Sequence, residues 1–268
     1  MLRALSWGCG VQSTTLAVMS ALGDLPRLDI VITADTGWER TATYEAREFY
    51  TAWLQERGVR VEVVSAGNLG KVCLNEHMMI PCFTSTGAPL RRQCTSDYKV
   101  YPVKRRLREL AGYHATKTPH PPAGEIELWL GISWDEYQRM KHSRVKFITH
   151  RWPLIEQKTT RNACTEYLEA HDLPVPVKSA CVGCPYRRAS EWIEMRDTSP
   201  DDWQAVLAFD EANRNNPLVV RDGSTDDRLY VYSKAVPLAT ADLEADAKRE
   251  RRGKQPPLFI CEAGYCLV

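Results

Sequence analysis

Short apolar runs alternate along this chain with longer segments whose apolar residues recur at helical spacing. The apolar runs cover residues 2–5, 28–34, 59–64 and 127–132. Such near-continuous runs are typical of strands that are buried on both faces of a parallel sheet. Helical spacing follows the first two runs, from Leu16 onward and over residues 42–57. This alternation predicts an α/β fold with a doubly wound parallel sheet and right-handed crossovers.

The second half of the chain carries shorter patterns. A strand is predicted over residues 145–149, and helices are predicted from Pro102, from Thr160 to about His171, over residues 201–213 after Ser199, and over residues 242–252. Residues 68–89 show little periodicity and are predicted to be irregular, and residues 118–124 form a Pro-rich loop. We expect one α/β domain at residues 1–175 and a cysteine-bearing region of helices and loops at residues 176–268, packed on it.

A glycine-containing loop joins the first predicted strand to the first helix. Residues 5–15 read LSWGCGVQSTT, with glycines at Gly8 and Gly10 and a hydroxyl cluster that begins at Ser13. Glycines let the backbone approach an anion closely, and a helix N-terminus offers unpaired N–H groups and a partial positive charge. The stretch indicates a phosphate cradle, although an ordinary turn before a core helix has the same pattern. It is not a P-loop, because no Gly-Lys-Ser/Thr follows, and it lacks the third glycine of the dinucleotide fingerprint.

Composition limits the classes of function. The chain has 268 residues, with 35 basic and 34 acidic residues and a formal net charge of +1. This balance argues against a protein that coats nucleic acid with its whole surface, but it allows a local basic track. With no visible signal peptide and no apolar run long enough to span a bilayer, we expect a soluble, cytoplasmic protein without a membrane partner. In such a protein, nine cysteines indicate metal, cluster or thiol chemistry rather than disulfides.

Polar residues follow two further predicted strands. Asp35-Thr36-Gly37 comes directly after residues 28–34, and Gly131-Ile132-Ser133-Trp134-Asp135-Glu136 ends the run at residues 127–132 and leads to Arg139. Ligands of doubly wound sheets bind at the carboxyl ends of the strands, so we expect both segments beside the glycine loop. The carboxylates can hold Mg²⁺ on a phosphate, and Arg139 can neutralise the phosphate charge. The alternative is that Asp35-Thr36-Gly37 is a common turn and that Asp135 and Glu136 are the acidic first turn of a helix.

A Cys-x-x-Cys turn at Cys181 and Cys184 is the second strong motif. Two thiolates on one tight turn suit zinc or an iron–sulfur cluster, and a redox dithiol is the alternative. A four-ligand site needs two more residues. The candidates are Cys94, Cys261, Cys266 and, as a weaker choice, Cys82.

Together these segments resemble the PP-loop ATP pyrophosphatases, in particular the branch related to phosphoadenosine-phosphosulfate reductase. The usual loop of that superfamily is Ser-Gly-Gly-x-Asp-Ser, with which residues 8–13 align; Gly8, Cys9 and Gln12 are the departures. The order Cys94, Lys99, Pro102 is similar to a segment of adenylyl-sulfate reductases, which begins there with a cysteine pair. The Gly131–Arg139 stretch is similar to a motif of related phage and bacterial proteins.

The resemblance implies an adenine nucleotide alpha-hydrolase-like fold that binds ATP and Mg²⁺. It implies catalytic roles for Ser13, Asp135 and Arg139. The nucleotide-binding residues that it implies are Ser6, Trp7, Gly8, Gly10, Val11, Gln12, Ser13, Thr14, Asp35, Thr36, Gly131 and Ser133. The metal ligands that it implies are Cys94, Cys181, Cys184 and Cys266, with Cys261 as the alternate to Cys266. A four-iron four-sulfur cluster is the preferred metal group and zinc is the alternate.

The reaction that the resemblance implies is adenylylation of a substrate by ATP, followed by sulfur insertion. The expected partners are a cysteine desulfurase, or another sulfur donor, and a nucleic acid, with DNA phosphorothioation favoured over tRNA thiolation. A basic phosphate track is expected from Arg91, Arg92, Lys104, Arg105, Arg106, Arg139, Lys141 and Arg144. The alternatives are a sulfonucleotide reductase with a tail cysteine as nucleophile and a nucleotide-binding partner protein without catalysis.

Overall fold

A parallel sheet of five strands forms the centre of the computed structural model, which describes residues 1–113, 122–216 and 228–252. The strands in chain order are β1 Leu2–Ser6, β2 Ile30–Asp35, β3 Val61–Ser65, β4 Phe83–Thr84, β5 Ile126–Leu130, β6 Ile148–Arg151 and β7 Leu229–Tyr230. The sheet order is β3-β2-β1-β5-β6, and Leu5 of β1 lies between Val31 and Trp129. The chain therefore winds outward from β1 in both directions, which confirms the predicted doubly wound α/β fold.

Helices cover both faces of this sheet. They are α1 Val11–Leu22, α2 Thr41–Glu56, α3 Leu69–Asn75, α4 Tyr101–Leu110, α5 Pro153–Glu156, α6 Arg161–Ala170, α7 Ala189–Thr198, α8 Pro200–Asn213 and α9 Leu243–Arg251. Leu5 and Trp129 pack under α1, α2, α5 and α6, whereas the neighbouring Ala4 and Leu128 pack against α4 on the opposite face. This alternation follows from the period of two in a strand, and it explains why the strands read as continuous apolar runs.

A second core joins residues 69–98 to residues 181–247. Leu69, Cys73 and Cys82 pack there with side chains of α7 and α8, including Trp192 and Phe209. The short strands β4 and β7 pair antiparallel within this part of the fold. The proposed boundary at residues 175 and 176 remains a prediction, and the structure adds that the 69–98 segment shares a core with the C-terminal region.

Residues 68–89 are more regular than their sequence suggests. They contain α3 and β4, so the prediction of an irregular segment is wrong. The Asn68 side chain accepts a hydrogen bond from the Lys71 N–H at 2.9 Å and caps α3. A Cβ atom at Gly70 would lie 2.8 Å from the Trp38 ring, so tertiary packing rather than periodicity fixes this helix.

Two predicted helix caps have different outcomes. The Thr160 hydroxyl accepts a hydrogen bond from the Ala163 N–H at 3.2 Å, which confirms this residue as the cap of α6. The Ser199 side chain does not cap α8. Its hydroxyl instead accepts a hydrogen bond from Arg40 at 3.3 Å, and α8 begins at Pro200.

Several sequence predictions fall outside the described residues. These include Cys261 and Cys266 in the tail and most of the predicted loop at residues 118–124. Among the helices that the structure describes, none is long and apolar enough to cross a membrane.

Candidate functional site

The glycine loop leads from the end of β1 directly into α1. Gly10 is the N-cap of α1 and provides no side-chain cap, and the Ser13 hydroxyl donates to the Gly10 carbonyl at 3.2 Å. The first N–H groups of a helix have no acceptor within it. At α1 these groups and the helix dipole are therefore directed at whatever lies beyond Gly10, as a phosphate cradle requires.

Cys9, between the two glycines, has a φ of 57°. A left-handed conformation costs an ordinary residue about 1–2 kcal/mol, so glycine is the natural choice there. This accounts for the glycine that the resembled loop has at the aligned position. The Cys9 thiol is buried beside the Thr33 hydroxyl at 3.5 Å, and burial raises its pKa to about 12, so it is not a reactive thiolate.

The end of β5 touches the start of α1. A Cβ atom at Gly131 would lie 2.7 Å from the Ser13 nitrogen, a distance that real Cβ atoms do not show. Only glycine allows this approach without a shift of the backbone. β1 and β5 are also the neighbours between which the winding direction of the sheet reverses. Ligands of doubly wound sheets bind at this switch point.

A cavity of about 180 Å³ opens beside this junction. Of the predicted site residues, it is lined by Trp7, Gly8, Gly10, Gln12, Ser13, Gly131, Arg139, Cys94, Cys181 and Cys184. The structure therefore brings together the glycine loop, the end of β5 and the Cys-x-x-Cys turn, although the loop lies more than a hundred residues from the other two in sequence.

The cavity is strongly basic, in contrast to the nearly neutral chain. Seven basic side chains line it, Arg47, Arg92, Lys99, Arg139, Arg161, Lys178 and Arg187, against three acidic ones, Glu39, Glu136 and Glu191. Arg187 is buried, and it donates to the Cys181 carbonyl at 2.8 Å and the Ala180 carbonyl at 3.3 Å. Its charge is thus directed at uncharged acceptors. Burial lowers the pKa of Arg187, which means that its charge is costly there and would be stabilised by an anion.

Gln12 connects two charged groups at the start of α1. Its Oε1 accepts a 2.7 Å hydrogen bond from Arg161, and its Nε2 donates to Glu136 at 3.1 Å. Glu136 also accepts a hydrogen bond from Arg139. Because Gln12 is neutral, it holds Arg161 in place without cancelling its charge.

Two predicted carboxylates lie outside the cavity lining. Asp135 is exposed and accepts a hydrogen bond from the Arg161 N–H at 3.0 Å, so it caps α6, and its neighbour Glu136 faces the cavity instead. Asp35 accepts hydrogen bonds from Arg47 at 2.8 Å and from the Gly37 N–H at 2.7 Å. Burial would raise the pKa of Asp35, but these hydrogen bonds outweigh it and hold the pKa below the usual value.

The other predicted residues outside the lining are Ser6, Val11, Thr14, Thr36 and Ser133, all of them buried. Thr14 accepts a hydrogen bond from the Trp7 indole at 3.0 Å, and Thr36 donates to Glu39 at 2.9 Å. The hydroxyls of Ser6 and Ser133 are buried without a hydrogen-bond partner in the described part of the chain. Thr14 and Thr36 therefore support the loops through their hydrogen bonds, and none of the five residues lines the cavity.

The Cys-x-x-Cys turn packs against the loop that follows β2. The backbones of Glu39 and Cys181 form an isolated β-bridge, and a Cβ atom at Gly183 would lie 2.2 Å from the Trp38 ring. Gly183 is thus required for the turn to close on Trp38. The Cys181 thiol lies 3.4 Å from the Thr36 hydroxyl and 3.5 Å from Glu39.

The thiols share a cavity but do not present a complete metal site. Cys94 and Cys184 are half-buried, whereas Cys181 is buried, and burial raises its pKa well above the ordinary value. Over residues 1–113, 122–216 and 228–252, no three His, Cys, Asp or Glu side chains are arranged to hold a metal ion. The donor chemistry suits a cluster or zinc, but the described residues alone do not fit one, and the tail candidates Cys261 and Cys266 lie outside them.

Some residues of the cavity were not predicted from sequence. Arg161, Lys178 and Arg187 line it, and none belongs to a recognisable motif. Glu39 also lines the cavity, and it follows the predicted Asp35-Thr36-Gly37 segment. Lys99 pairs with Glu39 at 3.2 Å, and Lys178 pairs with Glu191 at 2.7 Å. Two positions could have indicated these residues: Arg161 comes directly after the Thr160 cap, and Arg187 lies three residues after Cys184.

The predicted basic track is not continuous. Arg106 pairs with Glu62 at 2.6 Å and with Glu109 at 3.1 Å, and Arg105 pairs with Glu109 at 3.2 Å. The carboxylates of Glu62 and Glu109 therefore neutralise Arg105 and Arg106. Arg92 and Arg139 line the cavity, whereas Lys141 and Arg144 are exposed in the segment that follows β5.

Comparisons with known proteins give a limited result. No family profile matches this sequence, and no curated protein matches it. Among solved structures, the chain is similar to phosphoadenylyl-sulfate reductase from Candida auris in a phosphate complex, with 13% identity, a TM-score of 0.44, and coverage of 66% of this chain and 75% of that one. It is also similar to the U34-tRNA thiolase NcsA from Methanococcus maripaludis with its four-iron four-sulfur cluster, with 13% identity, a TM-score of 0.40, and coverage of 79% and 71%.

Proposed function

We propose that this protein is a PP-loop ATP pyrophosphatase that adenylylates a nucleic acid for sulfur insertion. One observation carries the proposal. One basic cavity is lined both by the glycine loop, which leads into the N-terminus of α1, and by the Cys-x-x-Cys turn. The loop suits a polyphosphate, and the turn supplies thiols where sulfur would be handled.

The loop is the proposed holder of the outer phosphates of ATP. The N–H groups at the start of α1 donate to phosphate oxygens, and Ser13 adds a hydroxyl. Positive charge comes from Arg161, Arg139 and Arg187. Their attraction to the phosphates increases as negative charge develops on the departing pyrophosphate, and stabilisation of that transition state lowers the barrier.

Glu136 is the residue proposed to hold Mg²⁺. Magnesium sites on nucleotides commonly use one or two carboxylates together with phosphate oxygens, and Glu136 is a carboxylate near the loop that faces the cavity. When bound, the ion would neutralise charge on the departing pyrophosphate. Asp135 has the different task of capping α6.

The proposed reaction has two steps. A phosphate oxygen of the nucleic acid attacks the α-phosphorus of ATP, the bond to the β-phosphate oxygen breaks, and pyrophosphate leaves. A sulfur nucleophile then displaces AMP from the adenylylated phosphate. The sulfur comes as the outer sulfur of a persulfide on a cysteine desulfurase. A thiol reductant then cleaves the S–S bond to the donor cysteine and leaves the sulfur on the nucleic acid. DNA phosphorothioation is the preferred outcome, with tRNA thiolation as the other nucleic-acid reaction. A cluster or zinc held by Cys94, Cys181, Cys184 and a tail cysteine remains part of the proposal, although no step above requires it.

A sulfur-transfer assay tests the acceptor. The protein is incubated anaerobically with ATP, Mg²⁺, a cysteine desulfurase, a thiol reductant, cysteine radiolabelled at sulfur and either DNA or tRNA. ATP-dependent label in DNA is the expected result. Label in tRNA alone would replace DNA as the acceptor. Sulfite release from adenylyl sulfate with thioredoxin, without label in either nucleic acid, would contradict the proposal and favour a sulfonucleotide reductase.

A further inference from the structure

Two histidines pack against one tryptophan on the α4 side of the sheet. The ring centroids of His142 and His150 lie 5.4 and 6.1 Å from that of Trp152, with interplanar angles of 79° and 85°. Trp152 packs on the same core as Val103 of α4. Its indole N–H is buried without a hydrogen-bond partner in the part of the chain that the structure describes. Buried donors are normally satisfied, so this one indicates that an acceptor binds here.

The tautomer of His150 determines what this imidazole can bind. Its Nδ1 lies 2.8 Å from the Lys141 carbonyl oxygen, which can only accept a hydrogen bond. Nδ1 therefore carries the proton in the neutral ring, and Nε2 is left as an acceptor. Because Nε2 becomes a donor only in the protonated ring, His150 can bind an anion through this atom only when it takes up a proton.

Two cations lie close to these imidazoles without a carboxylate partner. Neither Lys104 of α4 nor Arg144 forms a salt bridge within residues 1–113, 122–216 and 228–252. Burial lowers the pKa of Lys104, and the charge of Arg144 lowers it further. Burial also lowers the pKa of His150 and outweighs the hydrogen bond to the Lys141 carbonyl, while Lys104 and His142 lower it further. The charged groups that shift these two pKa values are all basic, and a bound anion would relieve their repulsion.

The acidic residues nearest to this cluster in sequence are already paired. Arg151, which follows His150 on β6, lies over the Trp129 ring on the opposite face of the sheet and pairs with Glu127 and Glu156. In α4, the carboxylate of Glu109 pairs with Arg105 and Arg106. These carboxylates neutralise other arginines and leave the charge of the cluster in place.

The cluster borders the candidate nucleotide site. Lys99 lines the cavity and lies in the helical turn that runs directly into α4, which carries Lys104. Arg139 also lines the cavity, and the segment that carries His142 and Arg144 starts directly after it. Two separate segments thus lead from the cavity to the same basic cluster.

We infer that Lys104, His142, Arg144 and His150 form a binding site for a phosphate group beside the cavity. A phosphate group is a charged acceptor, which matches unpaired cations, an imidazolium and an indole N–H. The expected source is a backbone phosphate of DNA that flanks the reacting one, and the inference rests on the proposed function for this point alone. Free inorganic phosphate is the other source of the same chemistry.

Fluorescence anisotropy with the full chain and a short labelled DNA duplex tests the inference. Lys104→Gln and Arg144→Gln should each bind DNA about tenfold more weakly and lower the salt dependence by about one counterion. Their unfolding temperatures should not fall, because each change removes a repulsion and breaks no salt bridge. Lys248→Gln, which removes an exposed cation of α9, is the matched control and should bind normally.

The pH dependence of binding tests the role of His150. DNA binding by the wild type should tighten as the pH falls from about 8 to 6, because a bound phosphate favours the protonated ring. His150→Asn offers an amide donor to the Lys141 carbonyl but cannot ionise, so it should flatten this pH dependence.

Two results would overturn the inference. The first is a wild-type protein that neither binds DNA nor gains thermal stability from inorganic phosphate. The second is wild-type behaviour towards both ligands in Lys104→Gln and Arg144→Gln. A phosphate-induced rise in unfolding temperature that these variants lose, with DNA binding unchanged, would support the site and assign it to free phosphate.

Release of AMP and pyrophosphate from ATP is measured on the same preparations. Weakened DNA binding in the two variants, without AMP release by the wild type, would refute the proposed function and leave this site intact. AMP release by the wild type, with variants that bind DNA and phosphate normally, would do the reverse.

Discussion

Arg161 donates a 2.7 Å hydrogen bond to Oε1 of Gln12, which ties the first turn of α6 to the first turn of α1. The side chain of Arg161 thereby reaches the glycine loop from an element that lies about 150 residues away in sequence. The acceptor is neutral, so the guanidinium keeps its charge for a phosphate.

Arg161→Gln should weaken ATP binding by roughly 10- to 100-fold. The substitution removes a charged donor, and a hydrogen bond to a charged group is worth about 1.5–3 kcal/mol. The Asp135 cap is made to the backbone N–H of residue 161 and survives the change. Isothermal titration calorimetry measures the affinity. Arg57→Gln, which alters an arginine stacked on Trp53 outside the cavity lining, is the control; an equal loss in both variants would contradict the role of Arg161.

Gln12→Glu should also weaken ATP binding, although the new carboxylate still accepts the Arg161 hydrogen bond. The added charge cancels Arg161 and repels both Glu136 and the polyphosphate. We expect a loss of about tenfold or more, with thermal stability close to wild type. Gln157→Glu makes the same change at an exposed position and should bind ATP normally. Unchanged affinity in Gln12→Glu would show that the neutrality of Gln12 is irrelevant to the ligand.

The glycines Gly10 and Gly131 should respond differently to alanine. At Gly131 the new methyl group would lie 2.7 Å from the Ser13 nitrogen, so we expect a loss of about 1–3 kcal/mol in the free energy of unfolding as well as a loss of binding. At Gly10 the nearest atom, Cβ of Ser179, would be 4.0 Å away, so the fold has room for the methyl group.

Gly10→Ala should therefore fold with little loss of stability and bind ATP roughly tenfold more weakly, because the methyl group occupies space that the phosphate needs. Denaturant unfolding and calorimetry on both variants separate the two effects. Normal ATP binding by Gly10→Ala would argue that no anion approaches this part of the loop.

Stability should fall as the pH rises from about 9 to 12. Burial raises the pKa of Cys9 and of Cys164 from 9.0 to about 12. In this window the unfolded thiols release protons that the folded thiols retain, so the unfolded state binds fewer protons and the free energy of unfolding decreases with pH. Buried tyrosines such as Tyr50 act in the same direction. Denaturant melts at several pH values measure the slope, and Cys164→Ala should reduce it; an unchanged slope would mean that the Cys164 thiol ionises normally in the folded state.

The fold was largely predictable because its signals are local. Continuous apolar runs and the helical spacing between them determine the order of strands and helices, and a glycine pair before a hydroxyl cluster marks the first loop. The site was only partly predictable. Cys94, Cys181 and Gln12, which motifs in the sequence indicated, line the cavity, whereas Arg161 and Lys178 reach it through tertiary packing that leaves no local pattern.

Even adjacent residues of the same type can have different roles that the sequence does not distinguish. Asp135 and Glu136 are adjacent acidic residues, and only the path of the short helix after β5 decides that Glu136 faces the cavity while Asp135 caps α6. The prediction that residues 68–89 are irregular was wrong for a similar reason, since α3 depends on the packing of Trp38 against Gly70.

Product analysis of ATP turnover tests the central claim most directly. ATP labelled at the α-phosphate is incubated with the wild-type protein, Mg²⁺, DNA, a cysteine desulfurase, cysteine and a thiol reductant, and the nucleotide products are separated, with Ser13→Ala and Arg161→Gln run in parallel. The account predicts labelled AMP with an equal amount of pyrophosphate, at rates strongly reduced in both variants. Labelled ADP with inorganic phosphate, from wild-type protein, would contradict it.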